Sequence, residues 1–244
     1  MKICLTEQDT AVALAPSLIC VDQCRLAREV MALDTLNVDF LHVDLIDGHF
    51  SPSMPLGIEA VRQLKPRTDL PFDVHLMVTE HDFFIDEMID IGVERLCFHY
   101  ESAGHVDRLL EKLHGNGICS GIALKPATPL RVLEYCLDRI DYVLLMLINP
   151  GFASHPGVTQ VPYARQRVAK CRKFLDERGF DEVAIEIDGR VSFANIPDLV
   201  GAGADVLVAG TQSLFHRDGS LEENLAAMHC AVAKGLQLRK REGL

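Results

Sequence analysis

Short apolar runs recur along the chain, at 13–19, 40–45, 72–77, 95–99, 118–124, 142–148, 183–187 and 206–209. Most are rich in Val, Ile and Leu and too short for a helix, the pattern of a strand buried on both faces. Between them lie stretches whose apolar positions have helical spacing: 24–33, 57–64, 82–91, 106–114, 130–137, 163–178, 196–202 and 221–234. Eight strands alternating with eight helices predict a parallel sheet with right-handed crossovers. Over 244 residues that count fits an α/β fold, the closed (β/α)8 TIM barrel, with a doubly wound open sheet as the alternative. No Pro- or Ser-rich linker divides the chain. A single domain over 1–244 is expected, with 1–12 as a lead-in and 236–244 as a polar tail.

Composition narrows the partners. The net charge is -11, and no basic patch offers a surface for nucleic acid. An acidic surface repels anions at long range, so any anion site must work through local dipoles, a metal or a few cations. No apolar run reaches the ~20 residues of a membrane span. The N-terminus lacks the basic-then-apolar pattern of a signal peptide, so a cytoplasmic location is expected. Eight cysteines without a Cys-x-x-Cys pair read as buried free thiols in a reducing compartment.

The active end of a parallel barrel is the C-terminal end of its strands. Polar residues stand there in Phe40-Leu-His-Val-Asp44, Phe72-Asp-Val-His75 and Val183-Ala-Ile-Glu-Ile-Asp188. His42 and Asp44 are two apart and share a side of their strand. His75 ends the next strand, and Asp188 lies across the mouth. One such residue does no more than satisfy a turn. Four on three strands form a candidate site for a divalent metal: Zn foremost, with Mn, Fe or Co also suited to two imidazoles and two carboxylates. Asp44 and Asp188 would approach a bound molecule from opposite sides. One could remove a proton from carbon and the other return one to the opposite face, while the metal stabilises an enediolate. After the sixth, seventh and eighth strands come Asn149-Pro-Gly-Phe-Ala-Ser154, Asp188-Gly-Arg190 and Gly210-Thr-Gln212. Small residues entering helix N-termini there would offer backbone N–H groups to a phosphate.

These segments, together with Ala15-Pro-Ser-Leu18, His42-Val-Asp-Leu-Ile-Asp-Gly-His-Phe50, Asp73-Val-His-Leu-Met77 and Ala202-Gly-Ala-Asp-Val-Leu-Val-Ala-Gly210, resemble the ribulose-phosphate 3-epimerase family, which includes allulose-6-phosphate 3-epimerases. The resemblance implies a barrel with one divalent metal on His42, Asp44, His75 and Asp188. It implies Asp44 and Asp188 as the acid/base pair and a phosphorylated ketose as substrate, with assembly into a homo-oligomer. Ser17 and His75 would contact the sugar. Met77 and Met146 would cap the reacting carbon. Gly151, Phe152, Ala153, Ser154, Gly189, Arg190, Gly210, Thr211 and Gln212 would surround the phosphate. The chain departs from the family pattern at Ile46, where a third methionine is usual. It departs also at Leu147, at Ala153-Ser-His-Pro156, at Ser51-Pro-Ser-Met-Pro-Leu56 and at Arg190. The activity expected is epimerisation of D-ribulose 5-phosphate and D-xylulose 5-phosphate. D-allulose 6-phosphate as substrate, or a non-catalytic sugar-phosphate binder, are the alternatives.

Other polar residues carry less. His49 reads as a loop residue, and His81, His105, His114, His216 and His229 as surface groups. His99 ends a strand without an evident partner. Lys125 could form a Schiff base, but Pro126 follows it and the metal set already accounts for the chemistry. Met31, Met54 and Met88 read as packing residues.

Overall fold

In the computed structural model, residues 12–151 and 157–242 are described. Eight strands form one parallel sheet: β1 (Ala13–Pro16), β2 (Leu41–Ile46), β3 (Phe72–Met77), β4 (Arg95–His99), β5 (Cys119–Leu124), β6 (Tyr142–Met146), β7 (Ala184–Asp188) and β8 (Val206–Ala209). Every residue of these strands is buried except Asp188 at the end of β7, as expected of strands covered on both faces. From β2 to β8 each strand pairs with its neighbours in sequence, and β1 pairs with β8. Between β1 and β2 the ring is drawn together by a bridge from Ser17 to His42 and by the Asp39 N–H donating to Leu14 O. The predicted barrel is therefore present, and an open sheet is excluded.

The helices are α1 (Leu26–Asp34), α2 (Ile58–Leu64), α3 (His81–Ile91), α4 (Val106–Gly115), α5 (Ala164–Asp176), α6 (Ile196–Gly201) and α7 (Leu221–Glu242). Two expectations fail. The segment 130–137, read as a helix, forms 3-10 turns at Leu130–Leu133 and Leu137–Arg139. It buries Leu133, Cys136 and Leu137 while leaving Tyr135 almost wholly exposed. The polar tail is also wrong, since α7 runs on to Glu242. Arg239 donates to Val200 O and Ala204 O and pairs with Asp205 at 3.1 Å. Gly235 lies inside this helix because a Cβ there would come within 2.6 Å of Val200 Cβ. It lets α6 and α7 approach rather than ending α7.

No described helix is long and apolar enough to cross a membrane. Among the described cysteines, all free, Cys97, Cys119, Cys136 and Cys171 are buried. Cys20 is half-buried, whereas Cys24 and Cys230 are exposed, contrary to a uniformly buried set. Met88 is core, but Met31 and Met54 are exposed and pack little. His81 is buried, with Nε2 3.3 Å from the Ser102 hydroxyl, so it is not the surface group expected.

Candidate active site

The barrel mouth holds a cavity of about 800 Å³, counted out to open solvent. Its lining includes Ser17, Asp44, Met77, Met146, Gly151, Asp188, Gly189, Arg190, Gly210, Thr211 and Gln212, all expected from sequence. Ile46, Cys20 and Ile148 also line it. Phe152, Ala153 and Ser154 lie outside the described residues. His75 is fully buried and is not among the residues that line the cavity.

Strand register explains why these residues meet. Asp44 on β2 is level with His75 on β3, and Met146 on β6 with Asp188 on β7. His42, Asp44, His75 and Asp188 each offer a ligand atom, all within 4.8 Å of one another. Asp44 Oδ1 lies 3.3 Å from His42 Nε2 and 3.2 Å from His75 Nδ1. Its Oδ2 accepts from the Ser17 hydroxyl at 2.9 Å. Asp188 Oδ2 lies 4.0 Å from His75 Nδ1.

Both imidazoles are aimed from behind. His42 Nδ1 bonds Asp73 Oδ2 at 2.9 Å, while its buried Nε2 has no hydrogen-bond partner. A buried ring nitrogen left without a partner, facing two carboxylates, suits a cation, and a hydrogen bond at the opposite nitrogen is the usual support of a metal-binding imidazole. The donor set therefore fits one divalent metal. Asp73 is held in turn by Arg95 Nε and the Tyr142 hydroxyl, each at 3.1 Å. Arg95, with no exposed surface, also pairs with Glu186 Oε2 at 3.0 Å and lies between the rings of Phe40 and Tyr142.

This layer under the site was missed in the sequence, where Asp73 and Glu186 passed as parts of motifs. Asp73 and Arg95 face each other across the β3–β4 ladder, a pairing that chain order hides. His99 was also undervalued: its Nε2 lies 3.0 Å from His75 Nε2 and its Nδ1 2.9 Å from Glu101 Oε2.

Charge in the site is divided unevenly. Burial opposes ionisation of Asp44, but His42 and then His75 hold its carboxyl well below the usual range. Burial, with Asp44 beside it, pushes Asp188 up to about 6. Burial and Asp73 push Glu186 up to about 7. Burial also resists a charge on His42, yet Asp44, Asp73 and Glu186 outweigh it and raise its pKa well above the ordinary value. The four residues thus gather a positive charge on His42 when no cation is bound. His99 is held down at about 4, chiefly by burial.

The turns around the cavity need their glycines. Gly151 has φ 82 and Gly189 φ 115. A Cβ at Gly151 would overlap the Ser51 hydroxyl, and one at Gly189 would lie 2.9 Å from Ile148 N. Arg190 also has positive φ, at 55, and its carbonyl accepts from Asn195 Nδ2 at 2.9 Å. These turns do not lead straight into helix N-termini, as the sequence suggested. The helices α5, α6 and α7 start only at Ala164, Ile196 and Leu221. After β8 the chain instead winds a turn in which the N–H groups of Ser213 and Phe215 donate to Gly210 O.

Residues 13–215 match the model of the ribulose-phosphate 3 epimerase family. The chain belongs to that family. It is similar to the ribulose-phosphate 3-epimerase of Bacillus subtilis (strain 168), 35% identical over 200 residues that cover 82% of this chain and 91% of that one. It is also similar to the enzyme of that name from Treponema pallidum (strain Nichols), 36% identical over 219 residues, 87% of this chain and 99% of that one. Among solved structures, 3-hexulose-6-phosphate synthase from Salmonella typhimurium superposes with a TM-score of 0.64 at 14% identity. The match covers 92% of this chain and all of that one, and it supports the barrel fold alone.

Proposed function

We propose that this chain is a metal-dependent ketose-phosphate 3-epimerase that interconverts D-ribulose 5-phosphate and D-xylulose 5-phosphate. The observation that carries the reading is the pair Asp44 and Asp188. Both line one cavity, from β2 and β7, and their surroundings hold one ionised while raising the proton affinity of the other. An ionised carboxylate and a protonated partner are what a two-sided proton exchange needs. One takes the C3 proton, the other gives its proton to the opposite face, and the stereocentre inverts. The next turnover in the same direction requires the two to exchange protons with water.

His42, Asp44, His75 and Asp188 would hold the metal, zinc foremost and Mn, Fe or Co next. When bound, it supplies positive charge against the charge that proton removal leaves on the ketose oxygens. Ser17 fixes Asp44 Oδ2. Met77, Met146 and Ile46 make the wall by the carboxylates apolar and keep water from the reacting carbon. At the other end, Gly189, Arg190, Gly210, Thr211 and Gln212 receive the phosphate, with Arg190 as a local cation in a chain of net charge -11. Assembly into a homo-oligomer belongs to the same proposal, and light scattering after gel filtration checks it.

The test is conversion of each ketose phosphate by protein reloaded in turn with Zn, Mn, Fe and Co. Ribulose 5-phosphate should have the highest kcat/KM. Failure to convert any ketose phosphate with any of the four would overturn the reading, and a preference for allulose 6-phosphate would move the substrate.

A further inference from the structure

We infer that Gln160 and Asn195 are positioning residues for the phosphate end of the cavity. Their side-chain amides hold the carbonyl groups of Gly189 and Arg190 outward, which turns the N–H groups of Arg190 and Val191 toward the ligand. The role rests on the proposed reading of that end as the place where a phosphate sits. Gly189 and Arg190 are consecutive positive-φ residues in the turn after β7, at 115 and 55. Only one of them is a glycine, and an arginine keeps this conformation at a cost unless its surroundings fix it. Gln160 Nε2 donates to Gly189 O at 2.9 Å, and Asn195 Nδ2 donates to Arg190 O at 2.9 Å. No described peptide is cis, and a planar trans peptide carries its N–H opposite its C=O. The N–H groups of Arg190 and Val191 therefore face away from the two amides. Gly189, Arg190 and Val191 line the cavity, while Gln160 and Asn195 do not, so the side they face is the cavity side. Successive backbone N–H groups fixed on one side of a turn suit an anion. Such local dipoles are what a chain of net charge -11 needs to hold one.

The two amides form one brace with a single direction. Gln160 Nε2 faces a carbonyl and donates, which leaves its Oε1 to accept from Asn195 Nδ2 at 3.3 Å. Asn195 Oδ1 in turn accepts from the Ser192 N–H at 2.8 Å. Flipping either amide would set oxygen against oxygen, so each is fixed by its partners. Gln160 is itself anchored just past β6, where the Val161 N–H donates to Leu147 O at 2.8 Å. The segments after β6 and β7 are thus tied together behind the turn. Asn195 stands at the N-cap of α6, yet its side chain makes no cap hydrogen bond. An asparagine in that place ordinarily accepts from the first turn of its helix. Here the amide folds back onto the loop, so it serves the turn and not the helix.

Gln160→Met and Asn195→Leu keep size and neutrality while removing the donors, so no new charge meets the phosphate. Two readouts apply to the full-length, Zn-loaded protein. The first is kcat and KM for D-ribulose 5-phosphate. The second is ¹H–¹⁵N NMR during titration with inorganic phosphate, with the Arg190 and Val191 signals assigned by their loss in Arg190→Lys under ¹⁵N-arginine labelling and in Val191→Ile under ¹⁵N-valine labelling. In the wild type both signals should move as phosphate is added. In each variant KM and the phosphate Kd should rise about 3–10-fold, the worth of one neutral hydrogen bond. Unchanged kcat should accompany the rise, the mark of binding lost equally from ground and transition states. A merely structural role would instead lower kcat or the melting temperature and leave KM alone. That outcome, wild-type KM and phosphate affinity in both variants, or wild-type Arg190 and Val191 signals that phosphate leaves unmoved, overturns the inference. The wild-type titration decides even if a variant fails to fold. A wild type that converts no ketose phosphate, while both signals still move with phosphate, overturns the proposed activity and supports the brace.

Discussion

Replacing Arg95 by Met keeps most of the side-chain volume between Phe40 and Tyr142 and removes the guanidinium from two buried carboxylates. Asp73 loses its partner at 3.1 Å and Glu186 its partner at 3.0 Å. Breaking a buried pair by deleting one member costs about 3–5 kcal/mol, because the survivor stays uncompensated. The two survivors differ. Glu186 already has its pKa near 7 and can take up a proton at little further expense. Asp73 is held far below that by Arg95 first and His42 next, against its own burial, so most of the loss falls on it. At pH 6 Glu186 is protonated and the penalty lies toward the lower end of the range. At pH 8 ionised Glu186 must be accommodated too, and the penalty rises. A chain of this size loses about 2–4 °C per kcal/mol, so the melting temperature should drop by roughly 6–20 °C, more at pH 8 than at pH 6. Thermal denaturation of metal-free protein at both pH values is the assay. A drop of under about 2 °C, or a larger drop at pH 6, would refute the assignment of charge in this layer.

Further outcomes follow from the same geometry. Arg190→Ala should raise KM for a phosphorylated ketose by about 10–100-fold, the worth of a charged hydrogen bond at 1.5–3 kcal/mol; an unchanged KM means that Arg190 does not contact the phosphate. Metal uptake must expel the proton on His42. Affinity should therefore weaken as pH falls, and calorimetry in buffers of different ionisation enthalpy should register proton release. An affinity constant between pH 6 and 8 would contradict this. Gly151→Ala, which drives a methyl group into the Ser51 hydroxyl at positive φ, should lower kcat/KM by more than tenfold with the barrel still folded, as circular dichroism and steady-state kinetics would show.

The barrel was legible because its strands are buried on both faces and so appear as short, mostly apolar runs, down to Phe72–Met77 and Arg95–His99 matching residue for residue. The connection after β5 was not. Leu130, Leu133 and Leu137 have helical spacing, but the chain there turns as 3-10 segments after Pro129. The helix read over 221–234 continues through Gly235, which admits the Val200 side chain, to Glu242. In the site, His42, Asp44, His75 and Asp188 were readable from their places at strand ends. Arg95 and Glu186 sit deeper in the barrel, and their partners come from other strands. His99 lacked an evident partner because Glu101 and His75 reach it only once β3 and β4 lie side by side.

The central claim is proton exchange between two carboxylates on opposite sides of C3. Its most direct test is a reaction of metal-loaded protein with D-ribulose 5-phosphate in D2O, stopped at low conversion and read at C3 by NMR. Two groups working from opposite faces place solvent deuterium in nearly every molecule of xylulose 5-phosphate while leaving unreacted ribulose 5-phosphate almost free of it. Product that keeps the original hydrogen at C3 would contradict the claim.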